Sequence, residues 1–125
     1  MYDCIVVGGG PAGLTAAIYL KRACKKVAIF EREVFGGQIT KATEVENYPG
    51  FDRISGMELG NKMKAQAEDL GVECFYDEII QIEKNGDVFQ VITVDKTYES
   101  KTVIYAAGTS PRKLGIKEKK KFIGN

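Results

Sequence analysis

The sequence predicts an α/β domain built around a parallel β-sheet. An apolar run at residues 2–7 leads through a glycine-rich turn into a helical run of small and apolar residues at 14–20. A second run, at 27–30, is wholly apolar, and a third follows at 72–76. Short apolar runs of this kind are typical of parallel strands that are buried on both faces. Their alternation with helical segments predicts a β-α-β-α-β unit.

The second helix is expected at residues 57–70. Apolar residues recur there at helical spacing, and these are Leu59, Met63, Ala67 and Leu70. Gly71 follows directly, as is typical of a helix that ends in a left-handed glycine. Residues 35–51, which precede the helix, are punctuated by glycine and show no sustained period, so we expect most of this segment to be a loop. Loops of that length commonly carry function.

A three-stranded antiparallel β-meander is expected after the third strand. Its turns are indicated by Asn85-Gly86 and Asp95-Lys96. The expected strands are residues 79–83, 88–94 and 97–100. The middle strand alternates at positions Val88, Gln90 and Ile92. A further apolar run at 102–106 is expected to return to the parallel sheet as a separate strand, which makes the meander a crossover between parallel strands.

The glycine turn at residues 8–13 is the first feature of the sequence that indicates a function. Gly8, Gly10 and Gly13 follow a strand and precede a helix, in the spacing that binds dinucleotides. Gly8 permits the tight turn, Gly10 lets the backbone approach a pyrophosphate, and Gly13 lets the helix pack closely on the strand. Pro11 suits the first helical turn, because the N–H group that it lacks would be unpaired there. The positive helix end and its N–H groups would attract the phosphates.

Glu31 stands at the end of the second strand, where an acidic residue reads the ribose of a dinucleotide. A carboxylate accepts hydrogen bonds from ribose hydroxyls and repels a 2′-phosphate, which favours FAD or NAD over NADP. Arg32 opposes this interpretation in part, because a neighbouring arginine can accommodate a 2′-phosphate. The alternative is that Glu31 only caps a strand at the protein surface.

Composition excludes several classes of protein. The chain has 125 residues, 44% of them hydrophobic, which is enough for one domain with a core. The net charge of +1 argues against a protein that binds nucleic acid or a membrane surface. No apolar segment approaches the ~20 residues that span a bilayer, and the first strand begins too early for a signal peptide. We therefore expect a cytoplasmic protein.

The cysteine and histidine counts exclude further chemistry. Cys4, Cys24 and Cys74 form no Cys-x-x-Cys pair, zinc-ligand spacing or secreted disulfide framework. Cys4 is expected to be buried in the first strand. The chain has no histidine, so it cannot build a Ser-His-Asp or Cys-His arrangement. No catalytic residue and no metal ligand is predicted, and redox chemistry would have to come from a cofactor.

Several segments together resemble the amino-terminal FAD-binding region of bacterial thioredoxin reductases, which are class II pyridine nucleotide-disulfide oxidoreductases. The segments are the glycine turn, Glu31, Gly36-Gly37-Gln38-Ile39-Thr40, Glu44-Val45-Glu46-Asn47-Tyr48-Pro49-Gly50-Phe51, and Ala106-Ala107-Gly108 followed by Pro111-Arg112. The resemblance covers essentially the whole chain. It implies an α/β, Rossmann-like FAD-binding domain with a parallel sheet and a β-meander crossover, incomplete at its carboxyl terminus.

The resemblance also implies which residues hold the FAD. Gln38 and Asn47 would contact the flavin ring and ribityl chain, because amides both donate and accept hydrogen bonds. Loop bracing is the alternative role for both. The backbone of Glu78 and Ile79 would lie near the adenine. The complete set of expected cofactor-binding residues is Gly8, Gly10, Pro11, Ala12, Gly13, Glu31, Arg32, Gly36, Gly37, Gln38, Asn47, Glu78, Ile79, Ala106, Ala107 and Gly108.

The chain departs from these relatives in three ways. Ala106-Ala107-Gly108 replaces the usual Ala-Thr-Gly, which loses a hydroxyl contact but keeps the close backbone approach at Gly108. Residues 40–43 contain fewer threonines than in many relatives, which affects a hydroxyl contact near the ribityl chain. The relatives also continue into an NADPH domain with a Cys-x-x-Cys dithiol, whereas this chain ends at Asn125. We therefore expect residues 1–125 to be the amino-terminal part of a discontinuous FAD-binding domain, with the NADPH and dithiol domain absent, and to be inactive alone.

In the intact enzymes that the chain resembles, electrons pass from NADPH through FAD and a dithiol to thioredoxin. The resemblance implies a homodimer when the enzyme is intact. One alternative is that the chain is the FAD portion of a dithiol-lacking relative, of the ferredoxin-NADP reductase type. The sequence of residues 44–50 argues against this alternative. The other is a nucleotide-binding module without turnover.

Overall fold

The computed structural model describes residues 1–107, 115–116 and 123–124. Its helices are α1 (Pro11–Arg22), α2 (Gly56–Leu70) and a 3-10 helix (Gly37–Lys41). Its strands are β1 (Tyr2–Val7), β2 (Val27–Glu31), β3 (Glu73–Tyr76), β4 (Gln81–Asn85), β5 (Val88–Ile92), β6 (Thr97–Tyr105), β7 (Gly115–Ile116) and β8 (Ile123–Gly124). In the part of the chain so described, the strands form one sheet in the order β3-β2-β1-β6-β5-β4-β7, with β8 beside β6.

The predicted α/β fold with its parallel sheet is confirmed. Strands β3, β2, β1 and the second half of β6 are parallel, and Val7 lies opposite both Phe30 and Tyr105. The carboxyl ends of β1, β2 and β6 therefore meet at one edge of the sheet. One face of the sheet packs on the helices through a buried cluster that includes Leu14 and Ile29. The other face contributes Phe30 to a second cluster, which the meander covers.

Local sequence explains where the helices begin and end. Pro11 occupies the first turn of α1 as expected. Helix α2 begins after Ser55, whose hydroxyl oxygen accepts a hydrogen bond from the Glu58 N–H at 3.1 Å. This side-chain cap satisfies one of the unpaired donors of the first turn. Gly71 ends α2 with φ of +104°, the left-handed conformation expected of it.

One prediction about the strands is wrong: the last meander strand and the returning strand are a single strand, β6. Residues 97–100 pair antiparallel with β5, and residues 100–105 pair parallel with β1. Because the residues around Ser100 are polar, the sequence suggested that one strand ends there and another begins. Ser100 is instead fully buried, and its hydroxyl donates to the Thr102 carbonyl oxygen at 2.6 Å. A local side-chain bond thus satisfies this residue at the point where the strand changes partners.

The alternation expected in β5 is present, and Val88, Gln90 and Ile92 lie on its less buried face. Phe89 and Val91 point into the core, whereas Val88 and Ile92 are only partly buried. The segment 35–51 is mainly irregular, as expected, apart from the 3-10 helix and an isolated bridge between Val45 and Ile54. Cys4 is buried in β1, as predicted.

Candidate functional site

An open cleft lies where the carboxyl ends of β1, β2 and β6 meet. Its main part has a volume of about 460 Å³, and a recess of about 50 Å³ shares Glu31, Arg32 and Ala107 with it. We refer to the main part and the recess together as the cleft. Strand β1 has β2 on one side and β6 on the other. The cleft thus lies at the point in a parallel sheet where chain connections diverge, which is where such sheets bind ligands.

Gly8 and Gly13 are required by close packing behind the glycine turn. Gly8 has φ of +110°, and a Cβ atom on it would lie 2.3 Å from the Ala106 carbonyl oxygen. A Cβ atom on Gly13 would lie 1.9 Å from the Gly8 carbonyl oxygen. Both contacts are with backbone, which cannot swing aside. The turn and the start of α1 can therefore pack this closely only with glycine at both positions.

Gly10 differs from these two glycines because its open side faces the cleft. A Cβ atom on Gly10 would meet only the Gly37 Cα, at 3.9 Å. Gly10 is the amino-terminal cap of α1 and supplies no side-chain bond. The first helical bond runs from the Leu14 N–H to the Gly10 carbonyl oxygen, so the N–H groups of Ala12 and Gly13 precede the first N–H group that donates within the helix. Open space beside these donors suits an anion that approaches the backbone.

Glu31 extends from the end of β2 to the glycine turn. Its Oε1 accepts a hydrogen bond from the Gly9 N–H at 2.7 Å, and its Oε2 accepts one from the Glu33 N–H at 2.8 Å. The alternative, in which Glu31 only caps a strand at the protein surface, therefore accounts for only part of its contacts. Each carboxylate oxygen can accept more than one hydrogen bond. Glu31 thus retains acceptor capacity toward the cleft, which it lines.

Arg32 lies among carboxylates at the recess end of the cleft. Its guanidinium is 3.4 Å from the Glu33 Oε2 and 3.9 Å from the Glu78 Oε2. Two carboxylates thus pair with one guanidinium, and Glu31 adds a third carboxylate to the lining of the same cleft. The local charge therefore favours a ligand with hydroxyl groups here over one with an additional phosphate.

The Gly36-Gly37 pair fixes the loop that forms the outer wall of the cleft. Gly36 has φ of +103°, and a Cβ atom on it would lie 2.8 Å from the Gly60 Cα in α2. The Gly36 N–H donates to the Gly9 carbonyl oxygen at 2.7 Å. Gly37 packs closely on Gly10, because a Cβ atom on Gly37 would lie 3.1 Å from the Gly10 Cα. Two glycine contacts thus hold this wall against α2 and the glycine turn.

The structure brings most of the residues expected to bind the cofactor into the cleft. Those that line it are Gly8, Gly10, Pro11, Ala12, Glu31, Arg32, Gly37, Gln38, Glu78, Ile79, Ala106 and Ala107. Gly13 and Gly36 lie behind it in the packing contacts described above. Asn47 is exposed in the irregular segment and does not line the cleft. Gly108, Pro111 and Arg112 lie outside the described residues.

Sequence reasoning missed eight residues that line the cleft. Phe30, Asp77 and Tyr105 line the recess together with Val7, and Lys41 lines the main part together with Glu33, Val34 and Ile39. The first three lie at or just after the carboxyl ends of β2, β3 and β6. Ligands bind at that edge of parallel sheets, so strand ends alone could have identified them. Lys41 follows no such rule, because its place depends on the path of the loop.

The cysteines do not form a reactive pair. Burial raises the pKa of the Cys4 thiol. Burial, followed by the charge of Glu68, raises the pKa of the Cys74 thiol to about 11. Cys24 is exposed at the carboxyl end of α1.

Among the described residues, no group of three or more His, Cys, Asp or Glu side chains could hold a metal ion. Nor does that part of the chain contain a helix long and apolar enough to cross a membrane.

Comparison with known proteins supports the resemblance found in the sequence. Residues 2–125 match the family described as pyridine nucleotide-disulphide oxidoreductase. Thioredoxin reductases from Listeria monocytogenes and Mycoplasma genitalium are 42% and 46% identical to this chain over 125 residues, or 99% of it. The crystal structure of the Streptococcus pyogenes thioredoxin reductase aligns over 92% of this chain and 38% of its own, with a TM-score of 0.84 and 48% identity. The chain spans 39% and 40% of the length of the two curated relatives.

Proposed function

The chain belongs to the pyridine nucleotide-disulphide oxidoreductase family, and we propose that it forms the adenosine and pyrophosphate part of the FAD site of a thioredoxin reductase. The observation that carries the proposal is the open side of Gly10 next to the first turn of α1. The cleft at this point has room for a dinucleotide backbone and presents backbone donors to it.

Each wall of the cleft has a proposed role. The N–H groups of Ala12 and Gly13 would bind the pyrophosphate, and Glu31 would accept hydrogen bonds from the adenosine ribose. The recess beside Glu78 and Ile79 would take the adenine edge, and Gln38 would lie toward the flavin. FAD supplies an isoalloxazine ring that accepts and passes on electrons. The flavin contacts of Asn47 and Gly108 stay predictions.

The charges in the cleft support FAD over a 2′-phosphorylated nucleotide. Glu33 and Glu78 form ion pairs with the guanidinium of Arg32, which is the group that could bind a 2′-phosphate. The ion pairs would have to weaken before Arg32 could turn to that phosphate. A ribose diol, by contrast, adds hydrogen bonds to Glu31 without any rearrangement of charge.

The activity of the whole protein is likewise proposed. We place residues 1–125 in a discontinuous FAD-binding domain of a homodimeric, cytoplasmic enzyme that uses NADPH to reduce thioredoxin. The names and overlaps of the relatives support the reaction. Within the 125 residues there is no Cys-x-x-Cys. The 125-residue polypeptide should therefore bind flavin nucleotide without reducing thioredoxin.

A titration with the two halves of FAD tests the proposed site. Two-dimensional NMR of the ¹⁵N-labelled protein would be recorded with ADP, and separately with FMN. We expect ADP to shift the amide signals of Ala12, Gly13 and Glu31 in a saturable way. FMN should shift signals from the wall around Gln38 and should affect the recess little.

Two variants on α1 separate ligand binding from folding. Gly10→Val puts a branched side chain on the open side of the turn, so ADP shifts should be lost while the spectrum keeps its folded dispersion. Thr15→Val changes an exposed residue further along the same helix and should leave binding unchanged. ADP shifts that persist in Gly10→Val would contradict the proposed site. Sustained NADPH oxidation with thioredoxin by the 125-residue wild type would contradict the account of its activity.

A further inference from the structure

Glu31 contacts three separate walls of the cleft. Its side chain accepts hydrogen bonds from the N–H groups of Gly9 and Glu33. Its backbone carbonyl oxygen accepts a third hydrogen bond, at 3.0 Å, from the Asp77 N–H. These donors belong to the glycine turn, the loop after β2 and the segment after β3. Glu31 thus joins the walls of the cleft through hydrogen bonds within the chain.

The peptide groups of Gly9 are held on both sides. The Gly9 N–H donates to the Glu31 Oε1 at 2.7 Å, and the Gly9 carbonyl oxygen accepts the Gly36 N–H at 2.7 Å. The Gly8 N–H is already bonded to the Phe30 carbonyl oxygen at 2.8 Å. The donors of Gly8 and Gly9 are therefore turned into the protein. An anion in the cleft is left with the N–H groups at the first turn of α1.

We propose that Glu31 is a positioning residue whose hydrogen bonds within the chain hold the glycine turn in its pyrophosphate-binding shape. This role is additional to the ribose contact, since each carboxylate oxygen can accept more than one hydrogen bond. The identity of the ligand rests on the proposed function. The bracing of the turn itself rests only on the bonds within this chain.

Amide hydrogen exchange in the ligand-free protein tests the bracing directly. Glu31→Gln keeps the size of the side chain but replaces one acceptor oxygen with a donor, so one of the two N–H bonds must be lost. We expect exchange at Gly9 or Glu33 to rise about tenfold or more, as for a locally opened segment. The Asp77 amide is an internal control, because its bond to the Glu31 backbone is untouched.

Glu33→Gln is the matched control variant. It removes a carboxylate from the same loop, where the Glu33 side chain is 66% exposed, and leaves both bonds to the Glu31 carboxylate in place. Exchange at Gly9 should then equal that of the wild type. Unchanged exchange at both Gly9 and Glu33 in Glu31→Gln would overturn the proposal. So would an equal increase at Asp77, which would indicate general loosening.

The binding of inorganic pyrophosphate distinguishes the positioning role of Glu31 from its contact with the ribose, because pyrophosphate has no ribose. If Glu31 positions the turn, Glu31→Gln should bind pyrophosphate at least about fivefold more weakly, even though a nearby negative charge has been removed. Unchanged or tighter pyrophosphate binding would overturn the positioning role. If the wild type binds neither pyrophosphate nor FAD, the proposed function fails, while the exchange at Gly9 still decides whether Glu31 braces the turn.

Discussion

Gly13→Ala should destabilise the fold more than Gly10→Ala, the other alanine substitution where the glycine turn enters α1. The new Cβ would lie 1.9 Å from the Gly8 carbonyl oxygen and 3.3 Å from the Val6 Cγ1. Non-bonded heavy atoms prefer separations of about 3.5 Å, so α1 would have to withdraw from the turn by more than about 1 Å. That movement would also pull Leu14 away from the core beneath it.

Two effects of this substitution oppose each other. Alanine is favoured over glycine within a helix by up to about 1 kcal/mol. Overpacking against backbone typically costs about 1–3 kcal/mol, and here the neighbouring atom cannot rotate away. We therefore expect a net loss of about 2 kcal/mol in the free energy of unfolding. For a domain of this size that loss lowers Tm by roughly 6–12 °C.

Urea denaturation followed by far-UV circular dichroism measures the loss. Gly10→Ala is the matched control, because its Cβ meets only the Gly37 Cα, at 3.9 Å, and its backbone is extended. Alanine is a poorer helix cap than glycine, so a loss below about 1 kcal/mol is expected there. Equal stability of Gly13→Ala and wild type would refute the packing argument, as would equal losses in the two variants.

Two further predictions concern the cysteines. Cys24 has φ of +63° just after α1, so Cys24→Gly should relieve strain and raise the unfolding free energy by about 0.5–1 kcal/mol; a loss in urea denaturation would contradict this. At pH 8, a thiol reagent should label Cys24 first and Cys74 far more slowly, since a pKa of about 11 leaves about one thiol in a thousand ionised. Peptide mapping by mass spectrometry checks the order, and equal rates at the two sites would contradict it.

Much of the fold could be predicted because its signals are local. The apolar runs specified β1, β2 and β3, and Gly71 specified the end of α2. The continuous strand β6 could not be predicted, because polar residues around Ser100 resemble a turn until the register of both neighbouring strands is known. The buried face of β5 could not be predicted for a related reason: alternation defines two faces of a strand without indicating which face is buried.

The candidate site shows the same division between local and long-range information. Strand ends and glycine spacing identified Gly10 and Glu31. The bond from the Gly9 N–H to Glu31 joins residues 22 positions apart in sequence, and it depends on the register that places Val7 beside Phe30. Gly36 was expected to bind the cofactor by resemblance, but its place against Gly60 follows from the packing of α2 on the loop. Such contacts between distant segments have no local signature.

Isothermal titration calorimetry of the 125-residue protein with FAD measures whether the cleft at Gly10 binds the cofactor. We expect saturable binding with one FAD per chain. Gly10→Val should weaken binding at least about 100-fold, or about 2.7 kcal/mol, with an unchanged circular dichroism spectrum, and NADP should compete poorly. FAD binding of equal strength in Gly10→Val, or no saturable binding to the wild type, would contradict the account.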